Sequence, residues 1–299
     1  PDTRADNQSA ARAIDIVAAY ADLNTLSVSA PANAQSGESI LLTWEVRNDG
    51  NATTDLALWN DRVILSTDPD LGPDDIVMAG SVTHAGLLAP GQGYTGRATI
   101  TLPRDLSGDY YVIVDTNHKR TVSELGRTGN NARASVAKLQ IGLAPMPDLT
   151  VSDVNGPPTL RPGDSATVSY SVTNRGDAAT SGVWRDRIYI DRGALGLYEL
   201  ASFLSSDAAA AGTTLARSAT FVLPAWFSEG NFHWVVRTDV DDTIYERSGE
   251  GNNQASSAAT VHVARVDLAV AEVRGPGLAQ SGDAVRIEWT VNNRGAAAS

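Results

Sequence analysis

The chain of 299 residues contains no cysteine, so neither disulfides nor thiolate metal sites can hold it together. Lysine is almost missing: Lys119 and Lys138 stand alone, which leaves little scope for lysine-based crosslinks between strands. The four histidines, His84, His118, His233 and His262, are scattered. None has a second histidine within four residues, so a zinc motif fails and they read as incidental. No apolar run approaches the roughly 18 residues of a membrane span. The stretch from Pro1 lacks the charged-then-apolar order of a signal peptide. The glycine-rich and serine-centred loops of nucleotide-binding enzymes and hydrolases are absent as well. A net charge of −12 with a pI near 4.7 argues against nucleic acid and against anionic membrane. Such a surface suits solubility, crowding on a cell envelope, or divalent cations.

What the chain does have is repetition. Three stretches begin alike, at Asp22, Asp148 and Asp267. In register, Gly37, Gly163 and Gly282 coincide, as do Trp44, Tyr170 and Trp289, then Asn48, Asn174 and Asn293. A second pair of related stretches is Asn117–Asn131 and Asp239–Asn253, in which Glu124 aligns with Glu246 and the Asn-Asn pairs coincide. Each follows an apolar run and precedes another, which predicts a hairpin with Asn and Gly at positive φ in the loop. The expected organisation is residues 1–20 as the last strand of a preceding repeat, complete units at 21–142 and 147–264, and the beginning of a third at 266–299. The linkers are short, which predicts a semi-rigid array.

Within a unit the hydrophobic period is two. Ile40, Leu42, Trp44 and Val46 alternate with polar residues, as do Val168, Tyr170 and Val172. Further strands are expected at Tyr94–Leu102, Tyr110–Val114 and Ala134–Ile141, then Leu215–Leu223, Phe232–Val236 and Ala258–Val263. About seven short strands per unit, separated by Gly, Pro, Asn and Asp, indicate an all-β chain of tandem immunoglobulin-like antiparallel β-sandwiches. Tyr110, just after Leu102-Pro103, stands where such sandwiches place a tyrosine that bonds back across a corner. The second unit has Phe232 there and must replace the bond by packing.

Two acidic loops raise the question of calcium, which takes six to eight oxygens from carboxylates and amides on a bending loop. Asp68, Asp70, Asp74 and Asp75 form the first. Asp239, Asp241, Asp242 and Glu246 form the second, with Asn252 as an amide ligand. Neither follows the twelve-residue spacing of a helix–loop–helix calcium site, and aspartate as a turn former with solvated charge accounts for both. Trp-x-Asp-Arg occurs twice, at Trp59–Arg62 and Trp184–Arg187. A strand there puts Asp61 on the face of Trp59, where it needs a hydrogen-bond partner. No nucleophile or base accompanies it, so it reads as structural and the chain as no enzyme.

The set of motifs resembles the CARDB family, the cell-adhesion-related domain found in bacteria. It comprises Asp-Leu-x-Val at the start, Gly-(Asp/Glu) before an alternating strand, Val-x-Asn-x-Gly, Trp-x-Asp-Arg-(Val/Ile)-x-(Leu/Ile), Ser66-x-Asp68, Leu-Pro before the penultimate hairpin, and Glu-x5-Asn-Asn. Unit two departs from it at Ile190-Asp191-Arg192. The resemblance implies an immunoglobulin-like sandwich in large secreted or surface-anchored bacterial proteins, beside adhesive, calcium-binding or enzymatic modules. It names no ligand and brings no catalytic residue. The expected function is therefore a non-enzymatic stalk or adhesive segment at a bacterial surface, contacting its neighbouring repeats and a protein or glycan ligand. The alternative is an accessory region of a secreted protease or glycosidase. Trp226-Phe227, after Pro224, is the one obvious aromatic pair for a ligand, and the simpler expectation is that it covers the end of the sandwich.

Overall fold

The computed structural model describes residues 12–297. The chain divides into two units, Pro1–Ala144 and Pro145–Ser299. Among the described residues the first holds nine strands: β1 (Leu23–Ser29), β2 (Asn33–Gln35), β3 (Ser39–Asn48), β4 (Leu58–Ser66), β5 (Ile76–Ala85), β6 (Gly93–Thr101), β7 (Gly108–Asp115), β8 (Ala132–Ala134) and β9 (Leu139–Gly142). They form one sheet in the order β1-β3-β6 and a second in the order β2-β9-β7-β4-β5, with β8 beside β7.

The alternation of β3 decides which face is inside. Ile40, Leu42, Trp44 and Val46 are all buried, while the residues between them point outward. They meet Trp59, Val63 and Leu65 of β4 and Val112 and Val114 of β7, which makes a two-sheet core. Gly96 lies opposite Trp44 in the ladder. A Cβ there would come within 2.2 Å of the indole, so only glycine lets the ring lie flat on β6.

The second unit repeats this order with β10 (Leu149–Asn155), β11 (Thr159–Leu160), β12 (Ser165–Asn174), β13 (Trp184–Asp191), β14 (Leu197–Ser205), β15 (Thr214–Val222), β16 (Gly230–Arg237), β17 (Gln254–Ser256) and β18 (Val261–Val263). Its sheets run β10-β12-β15 and β11-β18-β16-β13-β14, with β17 beside β16. Two final strands, β19 (Leu268–Arg274) and β20 (Glu288–Asn293), pair antiparallel with each other. Their apolar residues stay in solvent: Trp289 is 64% exposed, whereas the equivalent Trp44 is 1% exposed.

Several details differ from the sequence expectations. The single strand expected over Ala134–Ile141 is broken into β8 and β9, and the one expected over Ala258–Val263 is shortened to β18, with β17 ending before it at Ser256. The break has a local cause: Ser135 N–H donates to Val112 O (2.8 Å) while its hydroxyl accepts Val112 N–H (3.1 Å) and donates to Ala137 O (2.7 Å). The side chain replaces a backbone rung, and Ser257 does the same against Trp234. The sandwiches are antiparallel except for one short parallel pairing in each, β2 with β9 and β11 with β18. Of the strand expected over residues 1–20, residues 1–11 lie outside the described ones, and residues 12–22 form none. Ile14, Ile16 and Val17 are exposed there.

Candidate functional site

Asp61, on β4, is 1% exposed and accepts four hydrogen bonds. Trp44 Nε1 (2.8 Å) and Tyr94 hydroxyl (2.6 Å) donate to Oδ2, and Thr116 hydroxyl (2.5 Å) and Asn117 N–H (3.2 Å) donate to Oδ1. The partners come from β3, β6 and the loop after β7, so one carboxylate ties the two sheets together. Asp186 does the same work in the second unit with other donors: Tyr170 hydroxyl (3.0 Å) and Thr238 hydroxyl (2.6 Å), with Arg217 Nε at 3.8 Å. Burial holds the Asp186 carboxyl above its ordinary range, against the pull of Thr238, Tyr170 and Arg217. Leu215 stands in the register position of Tyr94, and Trp184 Nε1 is accordingly buried without an acceptor.

The Glu-x5-Asn-Asn motif forms a second internal clamp. Glu124, 3% exposed, takes the N–H of Leu23 at the start of β1 on Oε2 (2.8 Å). Its Oε1 accepts the amides of Asn117 (2.7 Å) and Asn131 (2.8 Å). The loop's positive φ falls on Asn117, Arg120, Leu125 and Gly126. Asn117 and Gly126 thus meet the expectation of Asn and Gly at positive φ, whereas Asn131 lies outside that region and is held by its side chain to Glu124 and to Thr116 O (3.2 Å).

In the second unit Glu246 Oε2 takes Leu149 N–H at 2.9 Å, which fastens β10 in the same way. Here Asp239 replaces Asn117. Its carboxylate caps its own loop, accepting Thr243 N–H (3.0 Å) and Ile244 N–H (2.8 Å). Glu246 Oε1, the oxygen that in the first unit faces two amides, is buried with no partner. Burial pushes the Glu246 carboxyl up to about 7, aided by Glu250, Asp239 and Asp148 and opposed by the Leu149 N–H.

The acidic loops do not assemble as the sequence groups them. Asp68, Asp70 and Asp74 are exposed and Asp75 is half-buried. Asp68 Oδ1 accepts Asp70 N–H (2.9 Å) and Asp75 Oδ2 accepts Gly72 N–H (2.8 Å), which is turn formation. In the other loop Asp241 turns outward to Arg185 (2.8 Å) and Arg187 (3.4 Å), Glu246 faces β10, and Asn252 donates to Asp148 (2.9 Å). Among the described residues, one trio of acidic side chains brings carboxylate oxygens within 4.8 Å of one another: Asp239, Asp242 and Glu250. They border an open depression of about 500 Å³ that Thr238, Arg237 and Gln254 also line. Glu250 is new to the set. A signal for it was present, since it replaces Thr128 of the first unit, as Asp242 replaces Arg120.

The aromatic pair divides its roles. Phe227 is 1% exposed and packs edge-on against Phe232 at 5.2 Å, which covers the sandwich end. Trp226 is 57% exposed and meets Tyr198 edge-on at 5.1 Å. Tyr110 hydroxyl reaches Ser107 O at only 3.4 Å, so the corner bond is slight. The histidines serve locally: His84 stacks between Trp59 (4.1 Å) and Tyr94 (3.9 Å), where burial lowers its pKa.

Two sheets facing each other across an apolar core, with the motif carboxylates turned to the chain's own donors, define a β-sandwich module. Residues 146–257 match the model of the CARDB family, a family of non-catalytic β-sandwich modules. Among solved structures, the chain is similar to the CARDB domain of a Pyrococcus furiosus protein, crystallised in complex with di-metal ions. The identity is 23%, over 40% of this chain and 89% of that one, with a TM-score of 0.30. A solution structure of that domain matches over 97% of its length with the same score. Red sea bream transglutaminase shows 12% identity over 83% of this chain and 32% of its own, with a TM-score of 0.28. No curated protein matches.

Proposed function

We propose that the chain is a non-enzymatic module array of a bacterial surface or secreted protein, mediating adhesion or presenting other domains outside the cell. The observation that supports this is the use of the repeated motif residues. Asp61 and Asp186 tie sheet to sheet, and Glu124 and Glu246 fasten the loop after the last long strand to the first strand. Residues that recur between the units thus serve the fold, and ligand contacts fall to residues that differ between them. Beads coated with the chain should be retained on bacterial cells or host-cell surfaces above uncoated beads. The same preparation should leave peptide and glycoside substrates uncleaved. Cleavage by the purified chain would overturn the reading.

The second reading, an accessory segment of a secreted protease or glycosidase, draws on Trp226. Its exposed indole beside Tyr198, with Arg192 5.2 Å from the Tyr198 ring, offers a flat face on which a sugar ring can stack. Retention on insoluble polysaccharide that disappears in Trp226→Ala would favour it.

A further inference from the structure

Three positions at which the second unit departs from the first meet in space. Trp226 follows Leu223-Pro224 where the first unit has Asp105 after Leu102-Pro103. Tyr198 stands opposite Ile190 in the ladder, the register place that Ile76 holds opposite Leu65. Arg192, two residues beyond Ile190, replaces Thr67. The Trp226 and Tyr198 rings are 5.1 Å apart at right angles, and the Arg192 guanidinium lies 5.2 Å from the centre of the Tyr198 ring. The first unit has neither an aromatic ring nor a guanidinium at any of the three positions.

Trp226 is not needed to close the core. Its neighbour Phe227 does that, held by Phe227 N–H to Pro224 O (2.9 Å), the turn that Leu106 N–H to Pro103 O (3.3 Å) makes in the first unit. The Phe227 ring, 5.8 Å from the indole, backs it from the core side. Beside Tyr198, Arg192 Nη2 donates to Leu195 O (3.3 Å), and the Leu195 side chain is 75% exposed. The exposed indole is thus part of a supported apolar surface and not a lone surface residue.

Arg192 supplies the charge of this surface. Among the described residues it forms no ion pair, and its Nε is buried with no acceptor. The acids close to it in sequence are engaged elsewhere: Asp191 Oδ1 accepts Gly193 N–H (2.8 Å), and Glu199 pairs with Arg187 (3.6 Å). A guanidinium without a carboxylate, next to aromatic rings, suits a ring that brings a carboxylate of its own.

We infer that this surface of the second unit binds an acidic sugar, a uronate residue of an anionic polysaccharide. The sugar ring stacks on Trp226 and its carboxylate pairs with Arg192. The inference rests on the reading of Trp226 as a sugar-stacking face and adds the charge of the ligand. An indole offers a wide flat face to the C–H groups of a pyranose. The planar fork of a guanidinium matches a carboxylate with two parallel hydrogen bonds. The net charge of −12 does not prevent this, because salt at physiological strength screens distant charges beyond about 8 Å.

The test is affinity electrophoresis of the full chain through gels containing sodium polygalacturonate or its fully methyl-esterified form. EDTA in both gels removes any bridging cation. The expected result is retardation by the acid form, with binding to the ester weaker by about tenfold, the worth of one charge-assisted hydrogen bond. Trp226→Ala should weaken binding to the acid form by about tenfold, and Trp226→Tyr, which keeps a flat ring, should recover most of it. Arg192→Gln should abolish the preference for the acid form. Trp289→Ala, at an exposed indole outside this surface, should leave retardation unchanged. Equal retardation by the two polymers would overturn the acidic-sugar assignment and leave the stacking face standing. Retardation by neither polymer, or retardation unaffected by Trp226→Ala, would overturn the stacking face as well.

Discussion

Asn117 donates its side-chain amide to Glu124 Oε1 at 2.7 Å, while Asp239, its counterpart in the second unit, offers Glu246 no proton. One oxygen in place of one NH₂ group turns a satisfied clamp into a pair of buried acids. Asp239→Asn should therefore restore the first unit's arrangement. The second unit should gain about 1 kcal/mol, the ordinary worth of a buried hydrogen bond, measured by denaturant unfolding without added metal. An unchanged or lowered midpoint would show that the two acids do not oppose each other.

The pH dependence of the second unit follows from Glu246. Its folded pKa is raised, so the protonated form is favoured by folding. The associated stability is present in full below the ordinary carboxyl value of about 4.3 and is lost as pH rises through about 7. Asp186, also raised, acts in the same direction. The melting temperature of the second unit should fall between pH 5 and pH 8, and Glu246→Gln should flatten that slope. A slope that survives Glu246→Gln unchanged would locate the proton elsewhere.

Trp44 and Trp289 share a register position but not an environment. Trp44→Ala should destabilise the first unit by about 3–5 kcal/mol, through the lost ring and a cavity left behind. It also removes one of the four donors to Asp61. Trp289→Ala, at 64% exposure, should change the unfolding of either unit by less than about 0.5 kcal/mol. Equal effects at the two positions would contradict the burial described.

Hydrogen exchange should separate β19 and β20 from the strands of the two sandwiches. Their ladder stands without apolar cover, so local opening exposes little further surface. Amides of Leu268–Arg274 and Glu288–Asn293 should exchange well before those of β3 and β12. Equal protection would mean that the pair is covered in solution.

The alternation of Ile40, Leu42, Trp44 and Val46 made β3 and its inward face legible at once, because one buried face imposes the period-two pattern. The need of Asp61 for a partner was legible too, but not the partners, since Trp44, Tyr94 and Thr116 come from three separate segments. β5 and β14 left no clear pattern. Both are edge strands with half-exposed faces, so neither face demands strict alternation. Glu246 looked like a solvated or calcium-binding acid. Its burial depends on Leu149, far away in sequence, and no local pattern announces such a contact. Glu250 was readable only by comparing the loops position by position, where Thr128 becomes an acid.

The short parallel pairings carry a mechanical consequence. In each unit the strand near the entry of the chain lies beside the last strand: β2 against β9, secured by Ser36 N–H to Gly142 O (2.8 Å) and Gln140 N–H to Ala32 O (2.9 Å). In the second unit His262 N–H to Pro158 O (2.8 Å) and Ala264 N–H to Leu160 O (2.9 Å) do the same between β11 and β18. Tension applied through the two ends of a unit pulls such neighbours past each other along their length. The rungs are then loaded together in shear and must rupture together, whereas an antiparallel hairpin pulled at its ends opens one rung at a time. A few short hydrogen bonds at the seam thus set the force at which each sandwich yields.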